Sequence, residues 1–186
     1  MTAQPLVTDE ELYRRAKEGD RRAFETLYNR RHQGLYRYAL HMSGNHAIAE
    51  EATHDAFLSL IQPASHFDPR LGTVEAYLYG AIRNMARRRR FSLSIEPLDE
   101  PAAAGDLLSE LIGDEEASAL HVAIRELPEA YRDAVILCDL EERTYEEAAR
   151  IMRCPVGTIR SRLSRARGIL AGRLASLRTR AEAAGD

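Results

Sequence analysis

The chain has 186 residues, 45% of them hydrophobic and 30% charged, with a formal net charge of −3. That suits a soluble globular protein with material for one larger or two small cores. No apolar run approaches the roughly 20 residues needed to cross a bilayer, and residues 1–11 carry no basic stretch ahead of an apolar one, so neither membrane insertion nor a secretory leader is expected and the cytoplasm is the expected compartment.

From the N-terminus, Thr8 and Glu11 have the spacing of a capping box ahead of Leu12 and Ala16. Gly19-Asp20 breaks and restarts the chain, and Ala23, Phe24, Leu27 and Tyr28 open a second helix predicted to end near Met42. After the turn signal Ser43-Gly44-Asn45, a third helix keeps Ile48, Ala52, Ala56 and Leu60 on one side. Its Glu50, Glu51, His54 and Asp55 fall at i, i+1, i+4 and i+5 and share a face. Two readings fit this face, a solvated stripe or a docking surface for a basic partner. Glu51 and His54 also have the Glu-x-x-His spacing of di-iron bundles, but no second such motif exists, so no metal is expected. The chain has no Gly-rich phosphate loop and no nucleophile motif, which argues against an enzyme, a cofactor or a small-molecule substrate.

Phe67-Asp68-Pro69-Arg70-Leu71-Gly72 reads as a loop. Val74, Tyr77, Leu78, Ala81, Ile82 and Met85 then predict a helix with one deeply buried face. It ends in Arg87-Arg88-Arg89-Arg90, with Arg83 and Asn84 a turn earlier. Cations at a helix C-terminus gain from the macrodipole. A run this dense also repels itself, and a bound polyanion relieves that repulsion; we favour this second account.

Charge is unevenly divided. Residues 1–91 hold 14 Arg+Lys against 11 Asp+Glu, residues 92–126 hold 1 against 9, and residues 127–186 hold 11 against 9. Between Ser92 and Ala117 the acidic strip also collects Pro97, Pro101, Gly105 and Gly113, so it reads as a flexible linker between two helical domains. Leu107, Leu108, Leu111 and Ile112 allow one helical turn inside it. The strip is either a solvated tether or a segment that mimics nucleic acid in a positively charged channel.

In the last third, Thr144 and Glu147 form a second capping-box signature, followed by a short apolar face of Ala148, Ile151 and Met152. Arg153-Cys154-Pro155 interrupts it. A longer helix starts near Val156, burying Ile159, Leu163, Ala166 and Leu170 and leaving Arg160, Ser161, Ser164 and Arg165 outside. Short helix, tight turn and basic helix make the outline of a helix-turn-helix, whose second helix enters a major groove. From Arg150 to Arg180 there are nine arginines and no carboxylate, so the i,i+4 pairs of an ordinary solvated helix are missing. Cys138 and Cys154 lack CxxC spacing and read as incidental thiols.

These residues resemble the extracytoplasmic-function group of bacterial sigma factors, within the sigma-70 class. Leu127-Pro128-Glu129-Ala130-Tyr131-Arg132, Tyr145-Glu146-Glu147-Ala148-Ala149 and the run from Cys154 to Arg167 are similar to the family's region 4. Ala23-Phe24 through Tyr38, the run from Ala49 to Leu58, and Ala76 through Asn84 are similar to region 2. The resemblance implies an all-α fold: a region 2 domain over 1–91, a linker over 92–117 and a region 4 helix-turn-helix domain over 118–186. It implies that Glu50, Glu51, Asp55 and Phe57 dock on the β′ clamp of core RNA polymerase, with the β flap as a further contact. It places Phe67, Arg70, Arg83, Asn84, Arg87, Arg88 and Arg90 on the melted −10 strand. It places Thr158, Arg160, Ser161, Arg162, Ser164 and Arg165 on −35 DNA, and it implies restraint by an anti-sigma factor. Three positions depart from the pattern. Tyr77 replaces a usual Trp, Arg153 replaces the turn's common glycine, and Ser164 stands where some relatives carry a bulky side chain. A stand-alone helix-turn-helix regulator and a polymerase-binding adaptor are the competing readings.

Overall fold

Capping chemistry sets where the helices begin. Thr8 accepts the Glu11 N–H at 3.2 Å and starts α1 (Asp9–Lys17). The reciprocal half of the expected capping box is not made, because both Glu11 carboxylate oxygens are engaged by Arg14. A charge-assisted pair one turn away outcompetes the neutral N–H of the cap. Asp20 accepts from the Arg22 and Ala23 N–H groups at 3.0 and 3.1 Å and opens α2 (Arg21–Ser43). Gly44 ends that helix in the left-handed conformation at φ +69°, and Asn45 caps α3 (His46–Ile61) by accepting the Ile48 N–H at 3.0 Å. For α4 (Val74–Ile95), Thr73 accepts the Ala76 N–H and Glu10 of α1 accepts the Val74 N–H, each at 3.1 Å. A carboxylate from α1 thus stands at the positive end of α4.

The computed structural model describes residues 7–62, 65, 67–95 and 115–184, and the side chains of 7–62, 65, 67–86 and 119–176. Among the described residues there are eight α-helices, one π-helical turn and no strand, which is the all-α class expected. Helices α1 to α4 close around Leu27, Leu35, Ala49, Ala56, Leu60, Val74 and Leu78, all buried. The face that α4 buries is rotated from the expected one. Val74, Leu78 and Ile82 line it together with Tyr79, whereas Tyr77, Ala81 and Met85 are only partly covered.

The second helical group is α5 (Glu115–Arg125), α6 (Glu129–Val135), the π-helical turn Ile136–Leu140, α7 (Tyr145–Met152) and α8 (Val156–Ala184). At α7 the capping box is complete: Thr144 accepts the Glu147 N–H at 3.2 Å, and Glu147 accepts the Thr144 N–H at 2.8 Å. Arg153 ends α7 at φ +50°, ψ +50°, a left-handed conformation that costs a non-glycine residue about 1 kcal/mol or somewhat more. Ile159, Leu163, Ala166 and Leu170 of α8 are buried, as their spacing predicted, and the helix-turn-helix is formed.

Helix α7 packs on α4, α2 packs on α5 and the π-helical turn, and the buried side chains of both groups form one continuous cluster. Accordingly the α4 face turns toward Tyr79, whose ring meets Tyr38 of α2 edge-on at 4.9 Å and whose hydroxyl accepts from Arg143 of the second group at 3.1 Å. Of the acidic strip, residues 96–114 lie outside the described residues, including the suggested turn at Leu107, Leu108, Leu111 and Ile112. The flanking residues are helical, with α4 continuing to Ile95 and α5 beginning at Glu115.

Candidate nucleic-acid interface

Helix α8 presents its polar face to solvent because Ile159, Leu163 and Ala166 turn the opposite face into the core. Arg160, Ser161, Ser164 and Arg165 are all exposed, and Thr158 is half-buried at the start of the helix. The Arg160 guanidinium lies 5.9 Å from the Tyr145 ring centroid, and Arg165 donates to the Tyr131 hydroxyl at 3.4 Å. Neither contact neutralises its charge. Ser161 donates back to the Thr158 carbonyl at 2.9 Å, which leaves its oxygen able to accept. Arg162 and Arg167 are engaged within the fold: Arg162 is half-buried and donates to the Cys154 sulfur at 3.7 Å, while Arg167 pairs with Asp139 at 2.6 Å.

A second cluster surrounds α4. A cleft of about 620 Å³ is lined by Asp55 and Ser59 of α3, Tyr77, Arg83 and Asn84 of α4, and Arg153 from the helix-turn-helix turn. Asn84 is exposed. Arg83 is instead held 3.6 Å from Asp133 of the second helical group. In the loop 67–72, Arg70 projects into solvent but folds back on Asp68 at 2.8 Å, which holds the Asp68 carboxyl below its usual range. Phe67 corrects the expectation of an accessible ring. It is 8% exposed, edge-on to Tyr13 at 4.9 Å and to Tyr77 at 5.3 Å, because this short loop has no other apolar anchor pointing inward. The side chains of Arg87, Arg88 and Arg90 lie outside the described residues.

On α3, Glu50, Glu51 and His54 are exposed and Asp55 is half-buried beside the cleft, so the acidic face is formed. Phe57 is not part of its surface. At 1% exposure it sits in the core against Phe24 and Tyr28, since position 57 follows Thr53 by one turn on the buried side. It supports the face from beneath. Among the described residues, no group of three or more His, Cys, Asp or Glu side chains is placed to hold a metal ion, and no helix is long and apolar enough to cross a membrane.

Several polar residues that the sequence did not single out meet between the two helical groups. Asp133 accepts from the Tyr38 hydroxyl at 3.0 Å. Burial pushes its carboxyl up to about 6, with Arg83 and the Tyr38 hydroxyl only partly opposing that rise. His41 stacks on His121 at 5.7 Å, and burial lowers the pKa of both rings. The place of Asp133 directly ahead of the apolar run from Ala134 to Leu137 was the available signal. Nothing in the local pattern named its partners.

The Sigma-70 region 2 family model matches residues 27–94, and the model for Sigma-70, region 4 matches residues 117–170. The chain is 30% identical over 179 residues to the RNA polymerase sigma-H factor of Pseudomonas aeruginosa, covering 86% of this chain and 90% of that protein. It is 31% identical over 175 residues to the ECF RNA polymerase sigma factor SigM of Mycobacterium tuberculosis, covering 92% and 87%. Against the ECF RNA polymerase sigma factor SigE of Mycolicibacterium smegmatis it is 32% identical over 153 residues and spans 59% of that protein. Among solved structures, the sigma factor RpoE of Bartonella quintana, crystallised with the anti-sigma factor NepR, aligns with a TM-score of 0.57 and 26% identity over 82% of this chain and 96% of that one. CnrH, in complex with the cytosolic domain of CnrY, shares the fold with a TM-score of 0.67 at 23% identity, covering 90% of this chain and 97% of that one. Both region models fall in order on the two helical groups that carry the exposed α8 face and the α4 cleft, and the chain belongs to the extracytoplasmic-function sigma factors of the sigma-70 family.

Proposed function

We propose that the protein directs bacterial core RNA polymerase to promoters, docking through the acidic face of α3, reading the −10 strand with the loop 67–72 and α4, and reading −35 DNA with α8. The observation that carries this reading is the α8 face, where Arg160, Ser161, Ser164 and Arg165 stand exposed on a helix with no carboxylate between Arg150 and Arg180. Arginine forks and serine hydroxyls match base edges and phosphate oxygens in a major groove. Residues 1–91 form the polymerase and −10 domain, 92–117 the linker and 118–186 the −35 domain. Arg87, Arg88 and Arg90 follow the −10 backbone, and the linker threads into the polymerase. Within the two sites, Phe57 and Phe67 act by positioning, Phe57 under the α3 face and Phe67 under the loop. The Bartonella relative was crystallised with an anti-sigma factor, and a partner of that kind restrains this chain too. The protein works in the cytoplasm without catalysis, cofactor or small-molecule substrate.

The test is reconstituted transcription with sigma-free core polymerase on a pool of promoter fragments, reading start sites by sequencing. Discrete starts preceded by a shared pair of elements are expected. Arg160→Ala is expected to lose roughly 5- to 150-fold at promoters carrying a −35 element, the scale of one bidentate base contact at about 1–3 kcal/mol. Glu51→Arg and Asp55→Arg are expected to weaken core binding instead. Starts that ignore Arg160→Ala would leave an adaptor without promoter selection, and duplex binding without core would leave a stand-alone regulator.

A further inference from the structure

The exposed arginines of α8 are held in two different ways. Arg167 pairs with the Asp139 carboxylate of the π-helical turn at 2.6 Å, so its charge is already matched. Arg160 and Arg165 rest instead on tyrosines from the two preceding helices. The Arg160 guanidinium lies 5.9 Å from the ring centroid of Tyr145, the first residue of α7, and Arg165 donates at 3.4 Å to the hydroxyl of Tyr131 in α6. A ring or a phenol directs a cation without cancelling it, whereas a carboxylate does both. Both tyrosines are half-buried and packed against the core, so each gives an exposed arginine a fixed support. Tyr145 is the better anchored of the two. It follows directly on the closed Thr144–Glu147 capping box, and its oxygen stands beside Arg167, whose pKa is raised by Asp139 first and by Tyr145 after it. A line of contacts therefore runs from Asp139 through Arg167 and Tyr145 to Arg160.

We infer, on the −35 reading of α8 proposed above, that Tyr145 is a positioning residue for base recognition: its ring presets the Arg160 fork on the exposed face of α8 and so sets how sharply one base pair of the −35 element is discriminated. The need for such a residue is entropic. An exposed arginine samples many rotamers, and that freedom is given up when both fork nitrogens meet one base edge. A guanidinium already docked on a rigid ring has surrendered part of it before DNA arrives. The chemistry of the support matters as well. A carboxylate in the place of Tyr145 would compete with the base for the same N–H donors, whereas an aromatic face attracts the cation as a whole and leaves those donors for the base. Since α8 itself carries no carboxylate up to Arg180, the support has to come from another element, and α7 supplies it. The first helix of the helix-turn-helix thus contributes to base reading through the second.

The test uses holoenzyme assembled from the full chain and sigma-free bacterial core polymerase. It is bound to a pool of duplex promoter fragments randomised across the upstream element that the transcription assay defines, and sequencing of the bound fraction gives the base preference at each position. Arg160→Ala marks the position that Arg160 reads, as the one whose preference flattens. Tyr145→Leu is expected to reduce the preference at that same position about two- to fivefold, the scale of an exposed cation–π contact, and to leave the other positions as they are. Tyr145→Phe keeps the ring and is expected to keep the wild-type preference. In the Arg160→Ala background, Tyr145→Leu is expected to change nothing further, because the residue acts through Arg160. Circular dichroism confirms that each variant is folded. If Tyr145→Leu weakens binding at every position alike, or costs as much in the Arg160→Ala background, the positioning role is overturned, since Tyr145 then supports the fold or touches DNA by itself. A Phe variant as impaired as the Leu variant overturns it too, by placing the effect in the hydroxyl. If Arg160→Ala flattens no position, the −35 reading of α8 is what fails, and the positioning role falls with it.

Discussion

Asp133 lies 2% exposed between the Tyr38 hydroxyl and the Arg83 guanidinium, and burial lifts its carboxyl from 3.8 to about 6. A raised pKa in the folded state means that Asp133 contributes most below pH ~4, where both states are protonated. That contribution is lost as pH rises to about 6, because the unfolded chain ionises first. The full loss is about 3 kcal/mol at 1.36 kcal/mol per pKa unit. Asn carries no titrating proton at this site. The stability of wild type minus that of Asp133→Asn, from urea unfolding at a series of pH values, is therefore expected to fall by that amount between pH ~4 and ~6 and to be flat above. A difference that rises with pH would mean that Arg83 dominates the site. The His41–His121 stack titrates in both proteins and cancels in the difference. At this scale legibility was uneven. Arg153 was picked out in the sequence as a non-glycine residue at a glycine's position, and its φ of +50° bears that out. Asp133 was not, because its partner Tyr38 lies 95 residues away and no local rule spans that separation. Phe57 and Phe67 were named for sites and are buried under them, since aromatic identity does not say which side of a helix or loop a ring takes.

Elements were legible where a local signal met no rival. The Thr144–Glu147 box formed as its spacing predicted, and its hydrogen bonds to the Thr144 N–H and hydroxyl hold the Glu147 carboxyl below its usual range. At Thr8–Glu11 the same spacing gave half a box because Arg14 stood one turn on, a rival that the motif does not encode. Of the stripe predicted on α4, Val74, Leu78 and Ile82 are buried while Tyr77, Ala81 and Met85 are only partly covered, and Tyr79 joins the buried side between Tyr38 of α2 and Arg143 of the second helical group, a neighbour that the local period does not encode. The π-helical turn Ile136–Leu140, which stands between Asp133 and Glu141, had no signature at all. Since the α7 box fixes the start of the helix on which α8 is supported, Thr144→Ala is expected to cost about 1 kcal/mol. Thermal unfolding followed by circular dichroism measures it. Thr144→Ser, which keeps the hydroxyl, is expected to fall within a few tenths of wild type, and equal losses in both variants would show that the hydroxyl's cap bond is not the source.

Across the whole molecule, a formal charge of −3 coexists with a strongly basic last helix, and the sign of the total says little about where DNA binds. The division of charge along the chain was readable in the sequence. So was the outward placing of Arg160 and Arg165, both exposed; the partner that ties up Arg167 was not, because it is brought close only by folding. Arg165 keeps its full charge beside a neutral Tyr131 hydroxyl, whereas Arg167, two residues on, is paired with Asp139 at 2.6 Å. Counterion release counts the phosphates that a protein neutralises, at a slope of about 0.9 per phosphate on duplex DNA. With holoenzyme bound to duplex DNA carrying a −35 element, Arg165→Ala is therefore expected to flatten the plot of log affinity against log salt by about 0.9. Arg167→Ala is expected to leave that slope unchanged, even though unpairing Asp139 lowers the affinity itself. Equal changes in slope would mean that the Arg167–Asp139 pair opens on DNA and that both arginines reach phosphate. The contrast depends on one ion pair, so it measures directly whether the exposed α8 face is the face that meets the groove.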